Sequence, residues 1–202
     1  MAPGSLVLAA DPPPKEARVA FNDDHRKRNS AFVSGTSFAC PRVAAVAALL
    51  KSVHPGWSPA AIKCAIMTTA DISGNTINPI QDGANNRRQF ASPLAMGEGS
   101  TNPNQAFYPG LVYDITPQDY VNLLCSSGYD RGQIFAITKS NYNGSDPPSD
   151  LNYPSFISTY NNTTSVEKFQ RTITNVVEAV STYKVTVVAC RGTIVDVSRN
   201  TL

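Results

Sequence analysis

The chain has 202 residues, 17 Lys and Arg against 15 Asp and Glu, two His, and a formal net charge of +2. That near-balance gives no reason to expect a nucleic-acid partner, and the length suits one full domain or one domain and part of another. No apolar stretch reads as long enough to span a bilayer, the four cysteines are too few for a dense disulfide framework, and the cysteines and histidines lack metal-ligand spacing, so no metal or organic cofactor is implied.

In chain order, Ala2-Pro3-Gly4 reads as a turn into a buried apolar strand, Ser5 to Ala10. With no basic residues before it, that strand makes a poor signal peptide. Asp11 to Ser30 is polar and Pro-rich and reads as a surface loop. It holds Asp23, Asp24 and the basic run His25-Arg26-Lys27-Arg28. Nothing aromatic or repeated accompanies that run, so a nucleic-acid patch is not supported.

Ser34-Gly35-Thr36-Ser37 then leads into Val43 to Leu50, which is apolar on every face and predicts a buried core helix. Pro41 fits its first turn, which puts Ser37 at or just before the helix N-terminus. Free N–H groups and the positive end of the dipole meet there, a suitable place for a nucleophile whose reaction builds negative charge on a carbonyl oxygen. For Gly-Thr-Ser alone, a buried helix with a capping serine is the simpler reading.

His54-Pro55-Gly56 ends the first helix. Ser58 as N-cap and Pro59 at the first position start a second, with Ile62, Ala65, Ile66 and Thr69 on one face and Lys63 pointing away. Cys40 and Cys64 lie in these two helices and read as buried thiols. Residues 71–100 read as loop. Thr116-Pro117-Gln118-Asp119 starts another helix with a weak capping box, its apolar face made by Tyr120, Leu123 and Leu124. From Asp150 the period changes to two. Tyr183, Val185 and Val187 alternate with Lys184 and Thr186, and Phe169 to Thr174 reads as a further strand.

The runs Gly35 to Pro41, Ala47 to Lys51, His54 to Ile62 and Met67 to Ala70 closely resemble the nucleophile region of subtilisin-like serine proteases, the plant secreted branch above all. Ser37 aligns with the catalytic serine. Phe38 stands where the family usually has Met, and Arg42 where it usually has His. The strand before the serine, Phe90 to Gly99, Asn102 to Ala106 and Pro109 to Asp114 continue the likeness. Residues 150–202 resemble about half of the fibronectin type III-like domain that ends plant members, a sandwich of roughly 100 residues. Cys125 resembles a family cysteine whose usual partner would fall near Asn143-Gly144. Gly144 stands there, so no such disulfide is expected.

The resemblance implies an α/β fold: the C-terminal part of a subtilisin-like catalytic domain, a parallel sheet with helices, then a truncated β-sandwich. The implied division is 1–125 for the peptidase part, 126–149 connecting, and 150–202 for the fibronectin-like part. It implies a serine endopeptidase acting on a protein or peptide substrate through an acyl-enzyme on Ser37, whose own N–H is one oxyanion donor. It also implies an extracellular or cell-wall location, with no nucleic-acid or membrane partner. The family order is Asp, His, Ser, so the Asp, the His and the oxyanion Asn are expected upstream of Met1.

Within the chain only His25 and His54 could act as a base. His54 is about 25 Å from Ser37 along the helix, and His25 lies in a loop that would not hold it to catalytic precision. The alternatives are an inactive fragment or pseudoenzyme with a protein-binding role, and a β-sandwich interaction module, which explains only the last quarter. Asn143, Asn161 and Asn162 begin N-glycosylation acceptor patterns.

Overall fold

Strand β1 (Val7–Ala10) pairs antiparallel with β2 (Ser30–Val33), Val7 opposite Val33 and Ala10 opposite Ser30. The computed structural model describes residues 1–10, 30–75, 77–83, 89–141, 150–159, 166–177 and 180–202. The polar stretch with Asp23, Asp24 and His25 and the acceptor residues Asn143, Asn161 and Asn162 lie outside them.

The expected buried strand is corrected. Val7 and Ala9 are half-buried, while Leu6 and Leu8 are 74% and 63% exposed. A two-stranded ribbon shields one face of its pleat and leaves the alternate side chains to solvent. Ser30, expected as loop, begins β2.

A turn at Ser34-Gly35 joins β2 to α1 (Thr36–Val53), which is 18 residues long. Here too the expectation is corrected. Only Val46 and Leu50 are buried, and Cys40 is exposed. Val43 to Leu50 is apolar all round, but among the described residues the one substantial helical neighbour of α1 is α2 (Pro59–Thr68), which covers a single stripe. Pro41 lies in the second turn, not the first.

By length and a mean hydropathy of 1.2, α1 does reach what a bilayer span needs, against the expectation from sequence. Arg42 and Lys51 would be costly inside a bilayer, and the helix meets the core through one stripe, with Val46 and Leu50 packed beside α2.

Helix α2 follows its signals. The Ser58 side chain accepts the Ala61 N–H at 3.0 Å, with Pro59 at the first position. Ile62 and Ala65 join Val46, Leu50 and Ala106 in one core cluster, with Ile66 packed against it. The other face, Ala61 and Cys64, packs on Val112 with Tyr113 and Val176.

Two short strands, β3 (Gln81–Asp82) and β4 (Gln89–Phe90), pair antiparallel. Then come α3 (Pro93–Met96), α4 (Pro103–Ala106) and β5 (Leu111–Val112). Helix α5 (Pro117–Ser126) starts with a full capping box between Thr116 and Asp119. Its buried residue is Val121; Tyr120, expected on the apolar face, is 45% exposed.

The connecting segment holds a helix the sequence reading did not anticipate, α6 (Arg131–Thr138). It is capped by Asp130 and Gln133 and packs against α5.

Beyond residue 150, β6 (Thr174–Asn175) pairs antiparallel with β5. The Tyr183 and Val185 N–H groups donate to the carbonyls of Leu202 and Asn200, both at 2.9 Å. The predicted alternation holds at Tyr183 and Val185, which are half-buried between exposed Lys184 and Thr186, and ends at Val187, which is 43% exposed. The mixed helix and strand content is that of the α/β class. Every ladder among the described residues is an antiparallel pair, so the parallel sheet of the expectation is not formed by these residues.

Candidate functional site

Ser37 is the second residue of α1, directly after the strand and turn β2-Ser34-Gly35. Its position comes from local chemistry. The Ser34 hydroxyl oxygen accepts the Leu6 N–H at 2.9 Å, and the Gly35 N–H donates to the Gly4 carbonyl at 2.8 Å. These bonds carry the contact between the two strands on through the Ser34-Gly35 turn. Gly4 is needed for this approach. A Cβ there would lie 2.8 Å from the Gly35 oxygen and 3.0 Å from the Ala39 Cβ.

The first turn of α1 carries no acidic side chain, so the positive end of the dipole is not neutralised from within the helix. The Ser37 N–H is one of the four that an α-helix leaves without an internal acceptor. Pro41 adds a second open group. It lacks the N–H that would bond the Ser37 carbonyl four residues back. Ser37 is exposed, and its hydroxyl makes no hydrogen bond with another described residue.

Of the two histidines, His25 lies outside the described residues, and His54 is not brought to this serine. His54 is the C-cap of α1, at the opposite end. Its ring stacks on Trp57 at 4.0 Å and 7° between planes, and Nε2 lies 3.0 Å from the Phe107 carbonyl, so it donates there when protonated on that nitrogen. The Lys51 ammonium closes the same end, donating to the carbonyls of Pro55 and Trp57, both at 2.8 Å. Among the described residues no group of His, Cys, Asp and Glu is arranged to hold a metal ion.

Two other places have chemistry of their own. The Cys64 sulfur accepts the Tyr113 N–H at 3.1 Å, and burial pushes the Cys64 thiol up from its ordinary pKa. Burial likewise raises the Tyr113 hydroxyl. Both groups are therefore held protonated, and neither is poised as a nucleophile. An open groove of about 440 Å³ follows the turn from Ala70 to Asn75 and Ile77. One wall is fixed by Asp71, whose N–H and carbonyl pair with Ser100 at 2.8 Å each way and whose carboxylate accepts from Asn102 at 2.9 Å. Gly99 makes that pairing possible: at φ 121°, a Cβ would fall 2.3 Å from the Asp71 oxygen.

Comparison with known proteins adds to this geometry. Residues 1–99 match the model of the Subtilase family, and residues 150–202 match a fibronectin type-III domain. The chain is 48% identical over 204 residues to subtilisin-like protease SBT3 of Solanum lycopersicum, covering 98% of this chain and 26% of that protein. It is 41% identical over 197 residues to subtilisin-like protease SBT1.2 of Arabidopsis thaliana, covering 95% and 25%. Against subtilisin-like protease Glyma18g48580 of Glycine max it is 44% identical over 181 residues, covering 87% and 22%. The chain thus spans about a quarter of the length of the curated relatives it matches.

Proposed function

We propose, for a chain that belongs to the subtilase family through residues 1–99 and carries fibronectin type-III sequence over residues 150–202, that Ser37 is the nucleophile of a serine-type endopeptidase. The observation that carries this reading is the placement of Ser37. An exposed serine stands second in a helix, straight after a strand and a glycine turn, inside the subtilase-matching stretch. The Ser37 oxygen would attack the carbonyl of the scissile peptide bond and form an acyl-enzyme, while its own N–H donates to the oxygen that becomes negative. One oxyanion donor is typically worth about 3 to 4 kcal/mol in the transition state.

A serine hydroxyl keeps its proton at neutral pH, so a base must accept it. Of the two histidines, His54 is committed to Trp57 and Phe107 at the far end of α1, and His25 falls in the polar stretch read from sequence as a loop, which would not hold a base to catalytic precision. We therefore read the base, its orienting carboxylate and the Asn donor as belonging to protein other than residues 1–202. In the family order they precede the serine. On this reading residues 1–202 alone are not proteolytic. A non-catalytic binding role is the second reading. What favours it is that the Ser37 hydroxyl has no partner among the described residues.

The division proposed is 1–125 for the peptidase part, 126–149 for the connection that includes α6, and 150–202 for the fibronectin-like part. An extracellular or cell-wall location, with glycan on Asn143, Asn161 or Asn162, completes the proposal. The test is cleavage of a peptide substrate by residues 1–202, alone and joined to a subtilase segment that carries Asp and His. Ser37-dependent cleavage is expected only in the joined protein. Cleavage there that survives Ser37→Ala would remove the assignment.

A further inference from the structure

The contacts of Tyr153 and Val176 with α2 point beyond a tethered second module. Asn152 sits at their centre. Its Nδ2 donates to the Asp114 carbonyl at 2.9 Å and to the Thr172 carbonyl at 2.8 Å, and its Oδ1 accepts the Thr172 N–H at 2.9 Å. Toward Thr172 the side-chain amide thus acts as a second strand would, using both a donor and an acceptor. Toward Asp114 it reaches the other sequence unit.

Asp114 continues the chain of bonds. Its Oδ1 accepts from the hydroxyl of Ser58, the N-cap of α2, and from the Ile115 N–H at 2.9 Å. The adjacent Tyr153 lies along α2. The Lys63 ammonium is 4.8 Å from its ring centroid, and its hydroxyl is 3.4 Å from the Met67 sulfur. Arg171 holds this stretch in shape. It is ion-paired to Asp150, donates to the carbonyls of Tyr153 at 2.8 Å and Ser155 at 3.2 Å, and lies 4.5 Å from the Phe156 ring centroid. The β5–β6 pairing and Val176 then close over the core face of Ala61, Cys64 and Val112.

We propose that residues 150–159 and 166–176 form a latch on α2, closed by the Asn152 bridge between Thr172 and Asp114, that opens and closes over Cys64 while the helix pair bearing Ser37 stays folded. The physical basis is that α2 has two working faces. One packs on α1 at Val46 and Leu50. The other packs on Val112 and Tyr113 and is completed from the latch by Val176. This holds whether or not Ser37 is a nucleophile.

Cys64 is the natural reporter, since its thiol is 1% exposed beneath the latch while Cys40 is exposed. In residues 1–202, alkylation by iodoacetamide is followed by mass spectrometry at Cys64, with Cys40 as internal reference. Asn152→Ala is expected to raise the Cys64 rate about tenfold through more frequent local opening. The Cys40 rate and the far-ultraviolet helical signal should be unchanged. Tyr153→Phe, which removes only the bond to Met67, is expected to change the Cys64 rate less than about twofold. An unchanged Cys64 rate in Asn152→Ala would overturn the latch. So would equal effects of the two variants, or a fall in helix content matching the gain in reactivity, which would make Asn152 a support of the whole fold.

Discussion

Helix α1 has 18 residues and buries two, Val46 and Leu50; helix α2 has 10 and buries four, Ala61, Ile62, Cys64 and Ala65. Both are apolar, so composition does not explain the difference. Neighbours do. Helix α2 is covered by α1 and Ala106 on one face and by Val112, Tyr113 and Val176 on the other. Helix α1 has its main packing along one stripe. Polar groups follow the same division. Around α2, Ser58 donates to the Asp114 carboxylate, Asn152 donates to the Asp114 carbonyl, and Arg171 pairs with Asp150. At the start of α1 the Ser37 hydroxyl has no partner among the described residues, and its N–H is one that a helix leaves without an internal acceptor. The surroundings of α2 have their bonds made, and the start of α1 holds a hydroxyl with a bond to give.

The sharpest break between the regions should appear at two adjacent residues. Leu50 is fully buried between the helices, and Leu49 beside it is 53% exposed. Leu50→Ala should destabilise the protein by about 2 to 5 kcal/mol through lost transfer energy and the cavity left behind. Leu49→Ala should stay within about 0.5 kcal/mol. Chemical denaturation of both variants measures this. Similar losses at the two positions would mean that α1 is covered on both faces.

A smaller effect is expected at the cap of α2. Ser58→Ala removes the acceptor for the Ala61 N–H and the donor to Asp114, and should cost about 1 kcal/mol, in the range usual for a serine cap. The denaturation midpoint should fall with an unchanged slope. A midpoint equal to wild type would show that the cap does not hold α2.

The smallest effect is a pH dependence on the covered side. Burial raises the Cys64 thiol above its ordinary 9.0 and the Tyr113 hydroxyl above 10.0. The folded protein then keeps these protons while the unfolded chain releases them first. Stability from this source is complete below about pH 9 and is lost as pH rises through the folded values. Cys64→Ala should flatten the alkaline decline in the denaturation midpoint. A decline as steep as wild type would show that burial of the thiol contributes nothing to it.

What could be read from sequence was local. Ser58-Pro59 and Thr116-Pro117 marked their helices because a cap and its proline act within one turn. The Asp130 to Gln133 capping box was equally present in sequence and predicts α6, but it sits before a short helix whose single buried residue, Ile134, gives little periodicity. The position of Ser37 at a helix start was legible from Gly35 and the apolar run. Burial was not legible. Cys40 and Cys64 lie in similar helices, and which thiol is covered depends on Val112 and Val176, far along the chain. The side-chain bridge at Asn152 was hidden for the same reason: its partners are 38 and 20 residues away.

The measurement closest to the central claim is covalent labelling by a fluorophosphonate probe with the labelled residue mapped by mass spectrometry. Residues 1–202 alone should label no more than the Ser37→Ala variant, because His54 stands at the far end of α1 and the proposed base is supplied by the joined segment. Joined to a segment that supplies Asp and His, the protein should label at Ser37, and Ser37→Ala should abolish the signal. Labelling of the joined protein at any other residue, or undiminished labelling of its Ser37→Ala variant, would contradict Ser37 as the nucleophile.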